Sequence, residues 1–133
     1  MHVITKVSSK TRIHLEWPRV LERLAEYCRG PIAVEMALKL EPAESRNELR
    51  QRQEWTSEAR LLLESGHTMP VGHPRDTRRS LSIASRQGLL EPEDLYAIGR
   101  DLDASLRCAR YLESVTHDAP SLASLGAGLA ALP

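Results

Sequence analysis

The chain has 133 residues, of which 41% are hydrophobic and 27% are charged, so it is long enough for one folded domain and too apolar for wholesale disorder. Its 18 Lys and Arg residues balance 18 Asp and Glu residues, which excludes the strongly basic field of a dedicated nucleic-acid-binding domain. Aromatic residues make up only 4% of the chain, with no Phe. Because β-strands draw on aromatic and β-branched side chains, this composition favours helices over sheet.

The N-terminal residues 1–14 contain Lys6, Lys10 and Arg12 and no acidic residue. They are expected to form a flexible leader. From Glu16 onward, apolar residues recur at spacings of three and four, which predicts a helix. Its apolar side consists of Val20, Leu21, Leu24, Ala25 and Cys28.

Proline and glycine divide the next part of the chain. Gly30 is expected to end the first helix, and Pro31 to open a shorter one that ends before Pro42. Ser45 and Glu48 fit a capping box, which predicts a third helix running to Gly66. The first half of this helix is almost wholly polar, so it is expected to project into solvent or to meet a partner.

The stretch "MPVGHPRDTRRSL", residues 69–81, predicts a corner between helices. Asp76 is the predicted N-cap of a short helix that ends at Gly88. The buried side of that helix is expected to contain Leu81, Ile83 and Ala84.

The strongest helical pattern begins at Pro92. It is a nearly heptad apolar stripe, which predicts packing against a neighbouring helix. The stripe consists of Leu95, Ile98, Leu102, Leu106, Ala109 and Leu112. The apolar tail "APSLASLGAGLAALP" is expected to start a core helix whose partners are missing, in a chain cut from a longer one. The sequence thus predicts an all-α bundle of about five to six helices joined by Pro and Gly corners.

The two cysteines, Cys28 and Cys108, are far apart and form no metal-binding spacing. Both are expected to be buried free thiols in a reducing cytosol, with a disulfide as the alternative. No apolar run is long enough to span a membrane, and the N-terminus lacks the apolar core of a signal peptide. The predicted location is cytoplasmic, without a membrane partner.

A metal or hydrolytic site formed by His67, His73 and Asp76 is one hypothesis for the corner. Zinc sites usually show two close pairs of ligands, and three scattered candidates fall short of that pattern. The sequence also has no G-x-x-x-x-G-K-S/T phosphate loop and no local context that singles out a nucleophile. It therefore predicts no catalytic, cofactor-binding or metal-binding residue.

A second hypothesis for the corner is phosphate contact through Arg75, Arg78, Arg79 and Arg86, with Lys6, Lys10 and Arg12 of the leader. Arginine suits phosphate because its planar group donates two hydrogen bonds at once. No aromatic residue is interleaved for base stacking, and solvated side chains are the alternative. Trp17 and Trp55 are candidate interface anchors, and for Trp17 a core position is favoured.

Three blocks carry a resemblance to a known family: "LEWPRVLERLAEYC", "GPIAVEMALKLEPAESRNELRQRQEWTSEARLLL" and "PVGHPRDTRRSLSIASRQGLLEPEDLYAIGRDLDASLRCARYLE". In order and spacing they resemble the N-terminus of the bacterial MutS type-two family, from Leu15 to Glu113. That family consists of MutS paralogues that lack the mismatch-reading domain and usually carry a C-terminal Smr domain.

The resemblance implies a MutS-like core and lever region over residues 15–133, preceded by the leader. It also implies a parent protein with a coiled-coil clamp, a dimerising ATPase that uses ATP and Mg, and an Smr endonuclease. Members of the family are associated with branched DNA, suppression of homologous recombination, and rescue of collided ribosomes, including contact with rRNA. None of the catalytic motifs lies in this chain.

His73 and Pro74 depart from the Gly-Ile that the family typically has at this point, which stiffens the turn. Residues 85–87 likewise replace a more basic stretch. The expectation is therefore a non-catalytic helical segment that links the ATPase to the clamp. The alternative is a stand-alone helical module that binds nucleic acid or protein.

Overall fold

The computed structural model describes residues 7–129, and within them it contains seven α-helices and no strand. This confirms the predicted all-α class. Five to six helices are expected from the sequence, so the described residues contain one more than the higher number. The helices are α1 (Ser9–His14), α2 (Trp17–Ala25), α3 (Pro31–Leu38), α4 (Arg46–Glu64), α5 (Arg78–Ser85), α6 (Pro92–Ser114) and α7 (Pro120–Gly126), followed by a 3₁₀ turn, Ala127–Leu129.

Helix α1 (Ser9–His14) occupies part of the expected leader, whose flexibility stays a prediction. The Ser8 side chain accepts a hydrogen bond from the Thr11 N–H at 3.1 Å, and Arg12 forms an ion pair with Glu41. Periodicity missed this helix because it buries none of its residues. Lys6 lies outside the described residues, and a domain boundary at residue 14 stays a prediction.

Helices α2 and α3 pack against each other across a turn at Gly30. Gly30 has a φ of 87°, a conformation that side chains rarely tolerate. The half-buried Trp17 donates a hydrogen bond from Nε1 to the Leu40 carbonyl at 3.2 Å, in agreement with the favoured core position. Cys28 is only half-buried, so the expectation of a buried thiol is wrong there and right for Cys108.

Helix α4 begins at the predicted cap. The Ser45 hydroxyl accepts from the Glu48 N–H at 3.1 Å, while the Glu48 carboxylate accepts from the N–H of Glu44, one residue before the cap, at 2.8 Å. The helix ends in a Schellman motif, since Gly66 has a φ of 80° and the His67 N–H donates to the Leu62 carbonyl at 3.0 Å.

The main core lies between α4, α6 and α7. Its buried residues are Leu62, Leu112, Val115, Ala119 and Leu122, with Trp55, Ala59, Met69 and Tyr111 packed around them. The expectation that the apolar tail lacks a partner within the chain is therefore wrong for α7, which packs against both α4 and α6. Residues 130–133 lie outside the described part of the chain.

Glu58 of α4 fastens the start of α7. Its carboxylate accepts hydrogen bonds from the Ser121 N–H at 3.1 Å and the Leu122 N–H at 2.8 Å. These are the amides that an N-cap side chain satisfies, and the cap residue itself, Ala119, has no group that can accept them. Glu58 thus acts as an N-cap supplied by another helix.

Helix α6 buries only part of the predicted stripe: Leu112 is buried as expected, but the buried side is centred elsewhere. Ala97, Cys108 and Leu112 are buried, whereas Leu95 is 57% exposed and Leu102 43% exposed. At 100° per residue, the buried side lies about a third of a turn away from these leucines. The apolar stripe exists, but within residues 7–129 no helix covers most of it.

Helix α5 also differs from its prediction. Its N-cap is Thr77 rather than Asp76, because the chain enters the helix one residue later than expected. Leu81 and Ala84 are exposed, and Ile83 is only partly buried. The buried residue is Ser80, whose hydroxyl donates to the Asp94 carboxylate at 2.8 Å and so ties α5 to the first turn of α6.

Candidate functional site

The corner between α4 and α5 is fixed to the rest of the fold at two points. The Cys108 thiol donates to the Pro70 carbonyl at 3.3 Å, and burial raises the pKa of this thiol. Pro74 lies close against Gly30, because a Cβ added at Gly30 would be 2.7 Å from the Pro74 carbonyl oxygen. The corner is therefore an anchored loop that lies along one side of α6.

Arg78 forms the centre of an ion cluster that joins α3 to the start of α5. Its guanidinium lies 2.7 Å from a Glu35 oxygen and 2.6 Å from an Asp76 oxygen, and Lys39 reaches Glu35 at 2.7 Å. Hydrogen bonds from Arg78 lower the pKa of Glu35 and of Asp76 to about 2, and both carboxylates raise the pKa of Arg78. Of the four predicted phosphate-binding arginines, Arg78 is thus engaged by carboxylates of the chain itself.

The other three, Arg75, Arg79 and Arg86, are exposed. Among the described residues, no carboxylate forms an ion pair with any of them. Their phosphate contacts stay a prediction. Arg75 differs from the other two because it lies beside a concave surface on α6.

The residues of the metal hypothesis have separate partners. His67 lies beside Tyr111, with ring centroids 6.3 Å apart, whereas Asp76 binds Arg78 and His73 lines the surface of α6. Within residues 7–129, no three His, Cys, Asp or Glu residues are grouped as metal ligands.

Tyr96 and Arg100 are the residues of this region that sequence reasoning missed. The Arg100 guanidinium lies 5.9 Å from the centroid of the Tyr96 ring, and both residues line a pocket of about 200 Å³ together with His73. The sequence contains a signal for this pair, because an aromatic residue and an arginine four positions apart share a face of a helix. It was overlooked because the aromatic residue is distant in sequence from the corner.

A second surface is the apolar face of α6, formed by Leu95, Leu102 and Leu106 and here named the leucine face. Beside it, α6 and α7 form a groove of about 640 Å³. The groove is lined in part by Leu106, Ala109 and Ala123. Exposed apolar surface of this extent is typical of a region that contacts another protein element.

No helix among residues 7–129 combines the length and the apolar character that crossing a membrane requires.

Curated relatives named Endonuclease MutS2 match most of the chain. The relative from Symbiobacterium thermophilum is 36% identical over 107 residues, which cover 80% of this chain and 14% of the relative. A relative from Geobacillus sp. is 34% identical over 122 residues, covering 90% and 16%, and one from Pelotomaculum thermopropionicum is 28% identical over 127 residues, covering 96% and 16%. No family model matches the chain, and no solved structure matches it significantly.

The chain thus spans about a seventh of the length of the relatives that it matches. The described residues are all-α, and the chain aligns with a segment of relatives that are much longer. The family is MutS2: the resemblance carried by the three sequence blocks is confirmed, and the chain matches a segment of MutS2 proteins.

Proposed function

We propose that the chain is a non-catalytic helical segment of a MutS2-like ATPase and endonuclease, and that it links the ATPase to the clamp that holds DNA. The observation that carries this proposal is the leucine face of α6. Leu95, Leu102 and Leu106 are 40% or more exposed, at a spacing that fits a further helix packed alongside. The remaining part of the parent protein is the occupant that we propose for this face.

A linking role needs stiff elements with fixed relative positions. Helix α6 has 23 residues and so extends about 35 Å. It is braced by the core with α4 and α7 and by the Glu58 cap. Motion applied at one end of α6 would therefore reach the other end as movement of a rigid body.

The partners and cofactors of the parent protein belong to this proposal. The relatives are named as endonucleases, so DNA is the proposed substrate of the parent protein. On the basis of the family, we also propose that the parent protein suppresses recombination, rescues collided ribosomes, forms a homodimer and is located in the cytoplasm. ATP and Mg are assigned to other parts of the parent protein, because this sequence contains no phosphate loop.

The test is reassembly from two pieces. The chain is co-expressed with a MutS2 protein that lacks the corresponding segment, and co-purification and DNA-stimulated ATP hydrolysis are measured. We expect the wild-type chain to bind and to restore stimulation. Leu102→Glu combined with Leu106→Glu is expected to abolish both, because two carboxylates would be buried in an apolar contact.

The matched control is Ser114→Glu, which adds a charge to the same helix on an exposed side away from the leucine face. It is expected to leave binding and stimulation unchanged. Equal loss with the control, or full activity of the double variant, would contradict the proposal.

The alternative is a stand-alone nucleic-acid-binding module, favoured by the three exposed arginines that form no ion pair within residues 7–129. It requires affinity that falls steeply with salt, with a slope that flattens in Arg75→Ala combined with Arg79→Ala. It also requires that the chain does not join the rest of a MutS2 protein.

A further inference from the structure

The pocket of about 200 Å³ between the anchored corner and α6 combines an aromatic surface with basic groups. Tyr96 is 70% exposed, and it shares a face of α6 with Arg100 and Arg107, four and eleven positions further on. The opposite wall is the segment Val71–Pro74, which follows the Pro70 carbonyl bound by the Cys108 thiol and ends at Pro74 against Gly30. The cavity is thus part of the folded structure, not a gap beside a loose loop.

Only some of the charged side chains around the pocket form ion pairs. Arg107 forms an ion pair with Asp103, whereas within residues 7–129 neither Arg100 nor Arg75 forms one. The Arg100 guanidinium, which carries N–H donors, lies over the Tyr96 ring with its central carbon 5.9 Å from the ring centroid. Asp101 also lines the pocket and supplies an acceptor beside these donors. An anion with a flat ring that carries an N–H donor is complementary to this set.

The size of the pocket narrows the ligand class. Pockets for complete small-molecule ligands measure roughly 300 to 1,000 Å³, so about 200 Å³ is too small for a whole nucleotide cofactor. It fits one base of a strand that lies across the surface. A free arginine beside an exposed aromatic ring is the combination that binds single strands without reading their sequence.

We propose that this pocket is a contact site for single-stranded nucleic acid, with one base stacked on Tyr96 and the adjoining phosphate bound by Arg100 and Arg75. The leucine face lies about a third of a turn away on α6, so strand binding and packing onto the parent protein do not compete. The site goes beyond the linking role proposed above and is independent of it.

The test is fluorescence anisotropy of the chain with labelled oligothymidine and oligouridine of about twelve nucleotides, titrated between about 50 and 200 mM salt. Tyr96→Ala is expected to weaken binding about tenfold and to leave the salt slope unchanged, because it removes stacking but no charge. Tyr96→Phe is expected to keep the affinity. Arg100→Gln is expected to weaken binding and to reduce the slope by about 0.7, the value for one phosphate contact on a single strand.

Tyr27→Ala is the matched control. Tyr27 is 73% exposed and has Arg23 at 5.8 Å from its ring centroid, but Arg23 is paired with Glu26 and Tyr27 does not line the pocket. The proposal fails if the wild-type chain binds neither oligonucleotide at the lowest salt, or if Tyr27→Ala weakens binding as much as Tyr96→Ala. It also fails if polyglutamate displaces the oligonucleotide as well as unlabelled strand does. Tighter binding of oligouridine than of oligothymidine identifies RNA as the ligand. Equal binding of the two identifies the features that both strands share, a base and a phosphate, as what the site recognises.

Discussion

Glu58 is the single side chain on which the position of α7 depends most. Its two hydrogen bonds to the Ser121 and Leu122 amides are charge-assisted and cross from one helix to another. We expect Glu58→Ala to lower the free energy of unfolding by about 1 to 2 kcal/mol, the range for losing an N-cap. Urea denaturation measures this change. The control is Glu54→Ala, whose single contact with Ser121 is 3.5 Å long and whose effect is expected to stay within about 0.5 kcal/mol. Equal losses in the two variants would contradict the capping role.

The Arg78 cluster predicts a pH dependence of stability. The folded-state pKa values of Glu35 and Asp76 are lowered to about 2 from 4.5 and 3.8. A carboxylate whose pKa is lowered in the folded state stabilises the fold at any pH above its ordinary pKa. This stabilisation is lost as the pH falls from about 4.5 toward 2. Arg78→Ala is expected to reduce the acid-sensitive part of the urea midpoint, and added salt to diminish the difference from wild type. Arg79→Ala, which removes an exposed arginine with no ion pair among residues 7–129, should retain the wild-type profile. A profile in Arg78→Ala that matches wild type would show that the cluster does not stabilise the fold.

Local residue patterns predicted the Ser45 cap of α4, placed the cap of α5 one residue too early, and did not predict the long-range pairs. Ser45 was identified from its own spacing to Glu48, because both atoms of that contact lie in one turn. One of the two partners of Arg78, Glu35, lies 43 residues earlier, in α3, and no local pattern indicates it. For the same reason the sequence assigned Arg78 to phosphate, and it missed Glu58 as a cap 63 residues from its first amide.

At the scale of elements, the crossing of α6 and α7 depends on Gly126. A Cβ at this position would lie 2.5 Å from a terminal carbon of Leu112 and 3.0 Å from its Cβ. Gly126→Ala is therefore expected to lower the free energy of unfolding by about 1 to 3 kcal/mol through overpacking. Gly128→Ala, where no atom lies within 4 Å, is expected to be neutral or slightly stabilising. Thermal unfolding of both variants measures the difference, and a neutral Gly126→Ala would mean that α6 and α7 are less closely packed than described.

Periodicity located the long helices, including α6, but it predicted the buried sides of α5 and α6 only in part. The stripe of α6 was visible in the sequence, since leucines at three and four residues share a face. The burial pattern differs because Ala97 and Cys108, which are small, allow the corner and the core to approach α6 closely. A stripe identifies an apolar face and does not reveal whether the same chain covers it. The exposed leucines of α6 are thus the residues for which we propose a partner.

At the scale of the whole molecule, two groups of helices are joined by the corner and its ion cluster. One group contains α1 to α3, and the other contains α4, α6 and α7 around the main core. Many large apolar residues, such as Leu63 and Leu125, are more than half exposed. The chain aligns with about a seventh of the length of its MutS2 relatives, and the remaining part of such a protein is the occupant that we propose for this surface.

We expect the leucine face of α6 to pack onto the rest of a MutS2 protein. Hydrogen exchange of residues 95–106 tests this contact, measured on the chain alone and after mixing with a MutS2 protein that lacks this segment. If the contact forms, exchange over α6 becomes slower in the mixture, while exchange over residues 78–85 of α5 stays unchanged. Unchanged exchange over α6 in the mixture would contradict it.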